Sequence, residues 1–167
     1  MDLNTTLIVL GTVAGGMYLL YWFFTQNYDR GVVVQVLDGD TIIVKTKRYK
    51  KKKVRLIGVD SPERANHIFD FDEAYARHAE RYVRRKLKPG TKIYLDYDKK
   101  KFDQWGRLLA YLYIQKSGHS MNELLLRKGY AVYQADKYNK RLKNKFLKLQ
   151  QEAKRERRGI WSRGGRF

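Results

Sequence analysis

The chain has 167 residues, of which 36 are lysine or arginine and 17 are aspartate or glutamate, so that its formal net charge is +19. This length accommodates one globular domain of ordinary size, and so large a positive charge favours a polyanionic partner, nucleic acid first and an anionic membrane surface second. The sequence has no cysteine, which excludes disulfides and cysteine-based zinc sites.

The first predicted element is a membrane anchor. Residues 3–24 carry no charge and are mostly apolar, and about 20 such residues are enough to cross a bilayer as a helix. We therefore predict one transmembrane helix within residues 1–25, followed by a short linker over residues 26–30. A cleaved signal peptide is the alternative, although no basic residue precedes the apolar run. The charges that flank the run are too few to fix its orientation.

A β-hairpin is predicted next, where the run GVVVQVLDGDTIIVKT places β-branched residues on both sides of Asp38-Gly39. This residue pair is typical of a type I′ turn, so we expect strands over residues 32–37 and 40–46. The lysine-rich segment Lys47–Lys53 forms the following turn, and a third strand covers residues 54–59. Gly58 inside that strand indicates a bulge or a kink.

The second half of the chain alternates predicted helices and strands. Helices are expected over residues 72–87, 121–128 and 139–158, and strands over 91–97 and 108–114. Ser120 and Glu123 have the spacing of a capping box, and Gly129 ends that helix. The order predicts an α+β fold, a five-stranded OB-fold β-barrel with three α-helices, preceded by the transmembrane helix. The domain spans residues 31–162, and residues 163–167 form a basic tail.

Two acidic residues are expected to meet at one end of this barrel. Asp40 lies at the start of the second strand and Asp60 at the end of the third, which is antiparallel to it. Their carboxylates can therefore form one cluster of oxygens that suits a hard cation such as Ca²⁺. Alternation along the third strand leaves open whether Arg55 and Asp60 converge, and Asp38 is interpreted as a turn residue.

Five segments in this order resemble the staphylococcal nuclease (thermonuclease) family, a family of calcium-dependent OB-fold phosphodiesterases. They are DGDT at 38–41, RLIGVDSPE at 55–63, DQWGRLLAYLY at 103–113, MNELLLRKGYA at 121–131 and GIWS at 159–162. The resemblance covers nearly all of residues 31–162. It implies cleavage of DNA and RNA with low sequence specificity, which leaves 3′-phosphate ends.

The resemblance also implies roles for individual residues. It assigns the Ca²⁺ ligands to the carboxylates of Asp40 and Asp60 and to the backbone carbonyl of Ser61. It assigns catalysis to Arg55, Glu63 and Arg107: the two arginines bind the scissile phosphate, and Glu63 acts as general base or orients the attacking water. Planar guanidinium groups suit this task because each can donate to two phosphate oxygens at once. Tyr133, and after it Tyr138, are the candidates for stacking on a base.

Several alternatives stay open from sequence alone. The chain can be a non-catalytic nucleic-acid-binding OB-fold module, or a membrane-surface protein whose basic domain binds lipid head groups. Lys47–Lys53 can follow a phosphate backbone or form a solvated hairpin tip. The domain is expected on the extracellular side of the membrane, where calcium is available, with secretion after cleavage of the N-terminal segment as the alternative. No protein partner is inferred.

Overall fold

Five strands close into a barrel in the computed structural model of the protein, which describes residues 28–62, 70–115 and 117–162. The barrel strands are β1 (Tyr28–Val36), β2 (Thr41–Thr46), β3 (Lys52–Leu56), β5 (Lys92–Asp96) and β6 (Leu108–Ile114). Two further strands of two residues each, β4 (Val59–Asp60) and β7 (Val132–Tyr133), pair with each other outside the barrel. The predicted five-stranded barrel is confirmed.

The strands follow one another around the barrel in the order β1, β2, β3, β6, β5, and β5 pairs back with β1. Only β3 and β6 run parallel, and the other four neighbouring pairs are antiparallel. Every second side chain of a strand points into the barrel, which is why Ile42 and Val44 of β2 and Val54 and Leu56 of β3 are all buried in the core. This alternation leaves the other half of each strand facing outward.

Three helices complete the described part of the fold: α1 (Asp70–Lys86), α2 (Met121–Lys128) and α3 (Lys143–Arg155). The α2 prediction is confirmed with its caps, since Ser120 Oγ accepts from the Glu123 N–H at 3.1 Å and Gly129 has a left-handed φ of 65°. Asn122 of α2 is fully buried, donates to the Ile57 carbonyl and accepts from the Leu112 N–H. It thereby ties α2 to the corner after β3.

The last predicted helix is shorter than expected. It begins at Lys143 and not at residue 139, because Asn139 makes two hydrogen bonds with the backbone of Lys100. These bonds hold the segment before α3 against the β5–β6 connection in an irregular conformation. Beyond α3, the N–H of Ile160 donates to the carbonyl of Gly129 at 2.9 Å, and Ile160 is buried. The end of the described chain is therefore fastened to the end of α2.

Two predictions about the first hairpin and the third strand are wrong. The β1–β2 connection has four residues, and neither Asp38 nor Gly39 has the positive φ that a type I′ turn requires. The third strand ends at Leu56, because Gly58 has a left-handed φ of 71° that breaks the pleat, and Val59–Asp60 then pairs with β7. The predicted kink at Gly58 is confirmed.

No helix among residues 28–62, 70–115 and 117–162 has the length and apolar character needed to span a membrane. The predicted transmembrane helix of residues 1–25 and the basic tail of residues 163–167 lie outside the described residues, as does Glu63. These three predictions therefore stay predictions.

Candidate active site

The loop before β2 positions Asp40. The backbone N–H groups of Asp40 and Thr41 both donate to Oδ1 of Asp38, at 2.9 and 2.6 Å, so Asp38 is the turn residue that the sequence indicated. Gly39 allows this loop to pack against Ser61, because a Cβ on Gly39 would lie 2.5 Å from Ser61 Oγ. The loop therefore brings the Asp40 carboxylate to the residue that follows β4.

The Asp40 carboxylate is held by several donors. Its Oδ2 accepts from the backbone N–H of Ser61 at 2.8 Å and from Ser61 Oγ at 3.0 Å, and only 5% of the residue is exposed. Burial raises the pKa of Asp40 to about 6, although the guanidinium of Arg55 and the Ser61 N–H favour the charged form. The carboxylate is thus short of positive charge even with these partners in place.

Arg55 joins the two acidic residues. Its Nη1 lies 2.5 Å from Oδ2 of Asp40, and its Nη2 lies 2.7 Å from Oδ1 of Asp60. Nη1 also donates to the carbonyl of Val59 at 2.9 Å. Arg55 and Asp60 converge because the left-handed Gly58 between them turns the chain back, a point that strand alternation left open. Asp40 and Asp60 meet at one guanidinium group, as the barrel geometry predicts.

Arg107 lies in the β5–β6 connection and lines a surface pocket together with Arg55. Its Nε donates to Oδ2 of Asp103 at 2.6 Å, and its backbone N–H donates to Oδ1 of the same residue at 2.8 Å. Its guanidinium lies 5.1 Å from the ring of Trp105, whose side chain is 71% exposed. Arg55 and Arg107 both line this pocket, which has a volume of about 290 Å³.

The two candidate tyrosines lie in different places. Tyr138 lines the pocket with both arginines and is 47% exposed, with the ammonium groups of Lys100 and Lys137 at 5.0 and 5.4 Å from its ring centre. Tyr133 lies in β7 and packs against the core beside Gly58, and it is not one of the residues that line the pocket, although its neighbour Gln134 is. Tyr138 is therefore the candidate that lines the pocket, and a stacking role for either tyrosine stays a prediction.

The donors of the site fit a hard cation. Asp40 and Asp60 supply carboxylate oxygens, the kind of ligand that Ca²⁺ prefers, and both carboxylates meet at the guanidinium of Arg55. The described residues contain no group of three or more acidic or histidine side chains around one point, and Glu63 lies outside them. Ser61 contributes its N–H and hydroxyl to Asp40, so its carbonyl as a ligand stays a prediction.

Sequence reasoning missed two residues of the site. The sequence analysis assigned no role to Asp103 of the DQWGR segment. An aspartate that accepts from N–H groups two to four residues later, here those of Trp105 and Arg107, is nevertheless a recognisable turn signal. Gln134 approaches Nη2 of Arg55 at 3.5 Å because β7 pairs with β4. No local signal in the sequence predicts a pairing between strands of two residues.

The arrangement is one that can bind a phosphodiester. Two guanidinium groups face a common pocket beside two carboxylates, and the Nε–H of Arg55 has no acceptor among the residues that the structure describes. Guanidinium groups neutralise charge on phosphate oxygens, and a cation held by the carboxylates would do the same from another side. The barrel and its site thus define an OB-fold-like protein whose surface pocket is lined by two arginines.

Comparisons with known proteins agree with this class. The sequence model of the family "Staphylococcal nuclease homologue" matches residues 53–163. Thermonuclease of Staphylococcus hyicus is 35% identical over 78% of this chain and 74% of its own length. An uncharacterised protein of Methanocaldococcus jannaschii is 36% identical over 83% of this chain and 74% of its own length. Endonuclease YhcR of Bacillus subtilis is 31% identical over 79% of this chain and 11% of its own length. The chain belongs to the family of staphylococcal nuclease homologues.

Proposed function

We propose that the protein is a calcium-dependent nuclease that hydrolyses phosphodiester bonds in DNA, RNA or both, with low sequence specificity and 3′-phosphate products. The observation that carries the proposal is the placement of Arg55 and Arg107 on one pocket beside Asp40 and Asp60. Relatives named thermonuclease and endonuclease support the hydrolytic function. Calcium dependence and the products rest on the family resemblance.

The proposal divides the work among the site residues. Arg55 and Arg107 bind the scissile phosphate and neutralise the negative charge that grows on its oxygens, and losing one preorganised donor of this kind typically costs about 10²–10³ in rate. Asp103 orients Arg107. Glu63 positions or deprotonates the attacking water. Asp40, Asp60 and the Ser61 carbonyl would hold Ca²⁺, which acts as a Lewis acid on the phosphate when bound.

A non-catalytic nucleic-acid-binding module is the second candidate, favoured by the charge of +19. A domain that had lost catalysis would not need a buried carboxylate, and burying one without full compensation is costly. Asp40 is only 5% exposed, and it lies with Asp60 against the guanidinium of Arg55, which lines the pocket. We therefore place hydrolysis ahead of binding alone.

We also propose that the N-terminal segment anchors the enzyme in a membrane and that the domain faces the extracellular side. The uncharged run of residues 3–24 supports the anchor, and the need for free calcium supports the orientation. C-terminal fusions to alkaline phosphatase and to green fluorescent protein test the orientation: phosphatase activity is expected, and fluorescence alone would contradict it. A mature protein that lacks the segment would favour secretion after cleavage.

The activity is tested with single-stranded DNA and RNA, in Ca²⁺ and in chelator. Wild type is compared with Glu63→Gln and Arg107→Ala, and with Arg84→Ala as a matched loss of one arginine. Arg84 pairs with Glu80 on α1 and is not one of the residues that line the pocket. We expect calcium-dependent cleavage that collapses in the first two variants only. Tight binding without cleavage in any divalent cation would select the binding module.

A further inference from the structure

A second basic surface begins at the active site and follows the outside of the barrel. In β2, Ile42, Val44 and Thr46 are buried. Ile43 and Lys45, which alternate with these residues, therefore lie on the outward face. Thr41 belongs to the same side of the strand, although it is only 6% exposed. Thr41 is paired with Arg55 across β3, and Ile43 is paired with the exposed Lys53. Arg55, Lys53 and Lys45 thus lie on one face of the sheet.

This face ends in a groove at the far end of β2. The groove has a volume of about 470 Å³, and four basic residues line it: Arg30, Lys45, Lys47 and Lys92. All four are exposed. Val32 and Tyr94 also line the groove, where Val32 is paired with both Lys45 and Lys92 and Tyr94 with Arg30. A volume of this size accommodates a nucleotide-sized ligand.

The four cations have no acidic partner within ion-pair distance among the residues that the structure describes. Elsewhere on the barrel, Lys101 pairs with Asp29 and Arg141 with Asp96, so carboxylates are used to neutralise other cations. Arg30 instead lies 5.7 Å from the ring of Tyr94. Like charges brought together without acids repel one another, and a polyanion relieves this repulsion.

The groove lies about one strand length from the end of β2 that pairs with Arg55. Five residue steps separate Thr41 from Thr46, which amounts to about 17 Å along a strand. Phosphates of one nucleic-acid strand are spaced by at least about 3.4 Å, so the two ends of the face are at most about five phosphates apart. A dinucleotide in the catalytic pocket cannot reach the groove, whereas a longer strand can.

We propose that this outward face, from Arg55 through Lys53 and Lys45 to the groove lined by Arg30 and Lys92, binds the phosphates of a single nucleic-acid strand beyond the bond that is cleaved. The inference rests on the proposed function and extends it to substrate length: strands that reach the groove bind more tightly than short ones. It also gives a role to part of the basic turn, since Lys47 lines the groove and Lys53 lies on the path.

The test uses the full chain in a non-ionic detergent and separates binding from cleavage. A Lys45→Gln/Lys92→Gln variant is compared with wild type and with Lys128→Gln/Lys148→Gln, which removes the same charge from exposed positions of α2 and α3. Binding of a labelled single-stranded DNA of about 20 nucleotides is followed by fluorescence anisotropy in chelator, between about 50 and 200 mM salt. Cleavage of the same strand and of a dinucleotide is measured in Ca²⁺.

The first variant is expected to bind the long strand about tenfold more weakly and to reduce the salt slope by about 1.4, because each phosphate contact on a single strand contributes about 0.7. KM for the long strand rises, while cleavage of the dinucleotide changes less than about twofold. Equal losses in the control variant, or equal losses for the dinucleotide, would overturn the inference.

Two further outcomes separate the alternatives. If the first variant binds the long strand normally but is retained less than wild type on beads that carry immobilised phosphatidylserine, the face serves lipid and the inference is wrong. If wild type cleaves nothing in any divalent cation, yet the first variant shows the expected loss of binding, the nuclease proposal fails and the binding face stands.

Discussion

Replacing Asp103 by asparagine tests whether Arg107 is held ready for the phosphate. The substitution keeps an acceptor for the N–H groups of Trp105 and Arg107 but removes the charge that Arg107 Nε meets at 2.6 Å. Burial raises the pKa of Asp103, yet the hydrogen bonds and charge of Arg107 outweigh it, and the pKa lies below its usual value. The charged form is thus the one that the fold stabilises.

The expected loss of activity follows from how far the Asp103–Arg107 ion pair is exposed to solvent. A charge-assisted hydrogen bond contributes about 1.5–3 kcal/mol, and the low end applies because 27% of the Arg107 side chain is exposed. A loss of about 1.5 kcal/mol in orienting Arg107 lowers kcat/KM about tenfold. Hydrolysis of single-stranded DNA in Ca²⁺, followed by the rise in absorbance, measures this loss, and urea unfolding measures the change in stability.

Two controls make the prediction sharp. Asp96→Asn removes the same charge from another aspartate–arginine pair, that of Asp96 with Arg141, and is expected to leave kcat unchanged. In an Arg107→Ala background, Asp103→Asn should cause no further loss of activity, because the residue it orients is absent. An undiminished effect of Asp103→Asn in that background would refute the positioning role.

Four other predictions concern stability and metal. Glu123→Gln lowers the free energy of unfolding at neutral pH by about 1–2 kcal/mol. Burial raises the pKa of Glu123, but Lys145 and His119 lower it below its usual value. The difference in stability from wild type should therefore vanish as pH falls below about 4, and a difference that stays constant with pH would contradict this. Gly39→Ala should cost about 1–3 kcal/mol in urea unfolding, because its Cβ would overlap Ser61; an unchanged midpoint would show that the loop yields freely. Asn122→Ala leaves the Leu112 N–H and the Ile57 carbonyl without their hydrogen-bond partner and should lower the free energy of unfolding by about 2–3 kcal/mol. Asn144→Ala, at an exposed position of α3, is the neutral control. Ca²⁺ at about 100 times its Kd should stabilise the fold by about 2.7 kcal/mol, and Asp60→Asn should reduce this gain; equal gains in both proteins would exclude Asp60 as a ligand.

Local features of the fold could be predicted from the sequence. The strand over residues 108–114 and the helix over 121–128 have the bounds that were predicted, because an apolar run and a set of caps are written in adjacent residues. The closed barrel also followed, since strand order and turn lengths limit the topologies. The helix before residue 158 was predicted too long because the bonds between Asn139 and Lys100 are not local.

The site was only partly predictable for the same reason. The sequence indicated that Asp40 and Asp60 would meet, but the guanidinium of Arg55 between them depends on the backbone of Gly58. The choice between Tyr133 and Tyr138 depends on the pairing of β4 with β7, in which two residues of each strand take part. Such short strand pairings depend on the packing around them, and strands of two residues are too short to show an alternating pattern in the sequence.

The order of the pocket residues along the chain has a consequence for the newly made protein. Asp40, Arg55 and Arg107 are synthesised before α2 ends, whereas Gln134 and Tyr138, which complete the pocket, are synthesised after it. Folding as the chain emerges proceeds from its N-terminal part, so a ribosome-bound chain that stops before residue 129 carries the arginines without the segment that closes the pocket around them. Chains stalled at residue 128 should therefore not cleave nucleic acid, which an assay on stalled ribosomes can measure. The pocket is thus completed only by residues that are synthesised after α2.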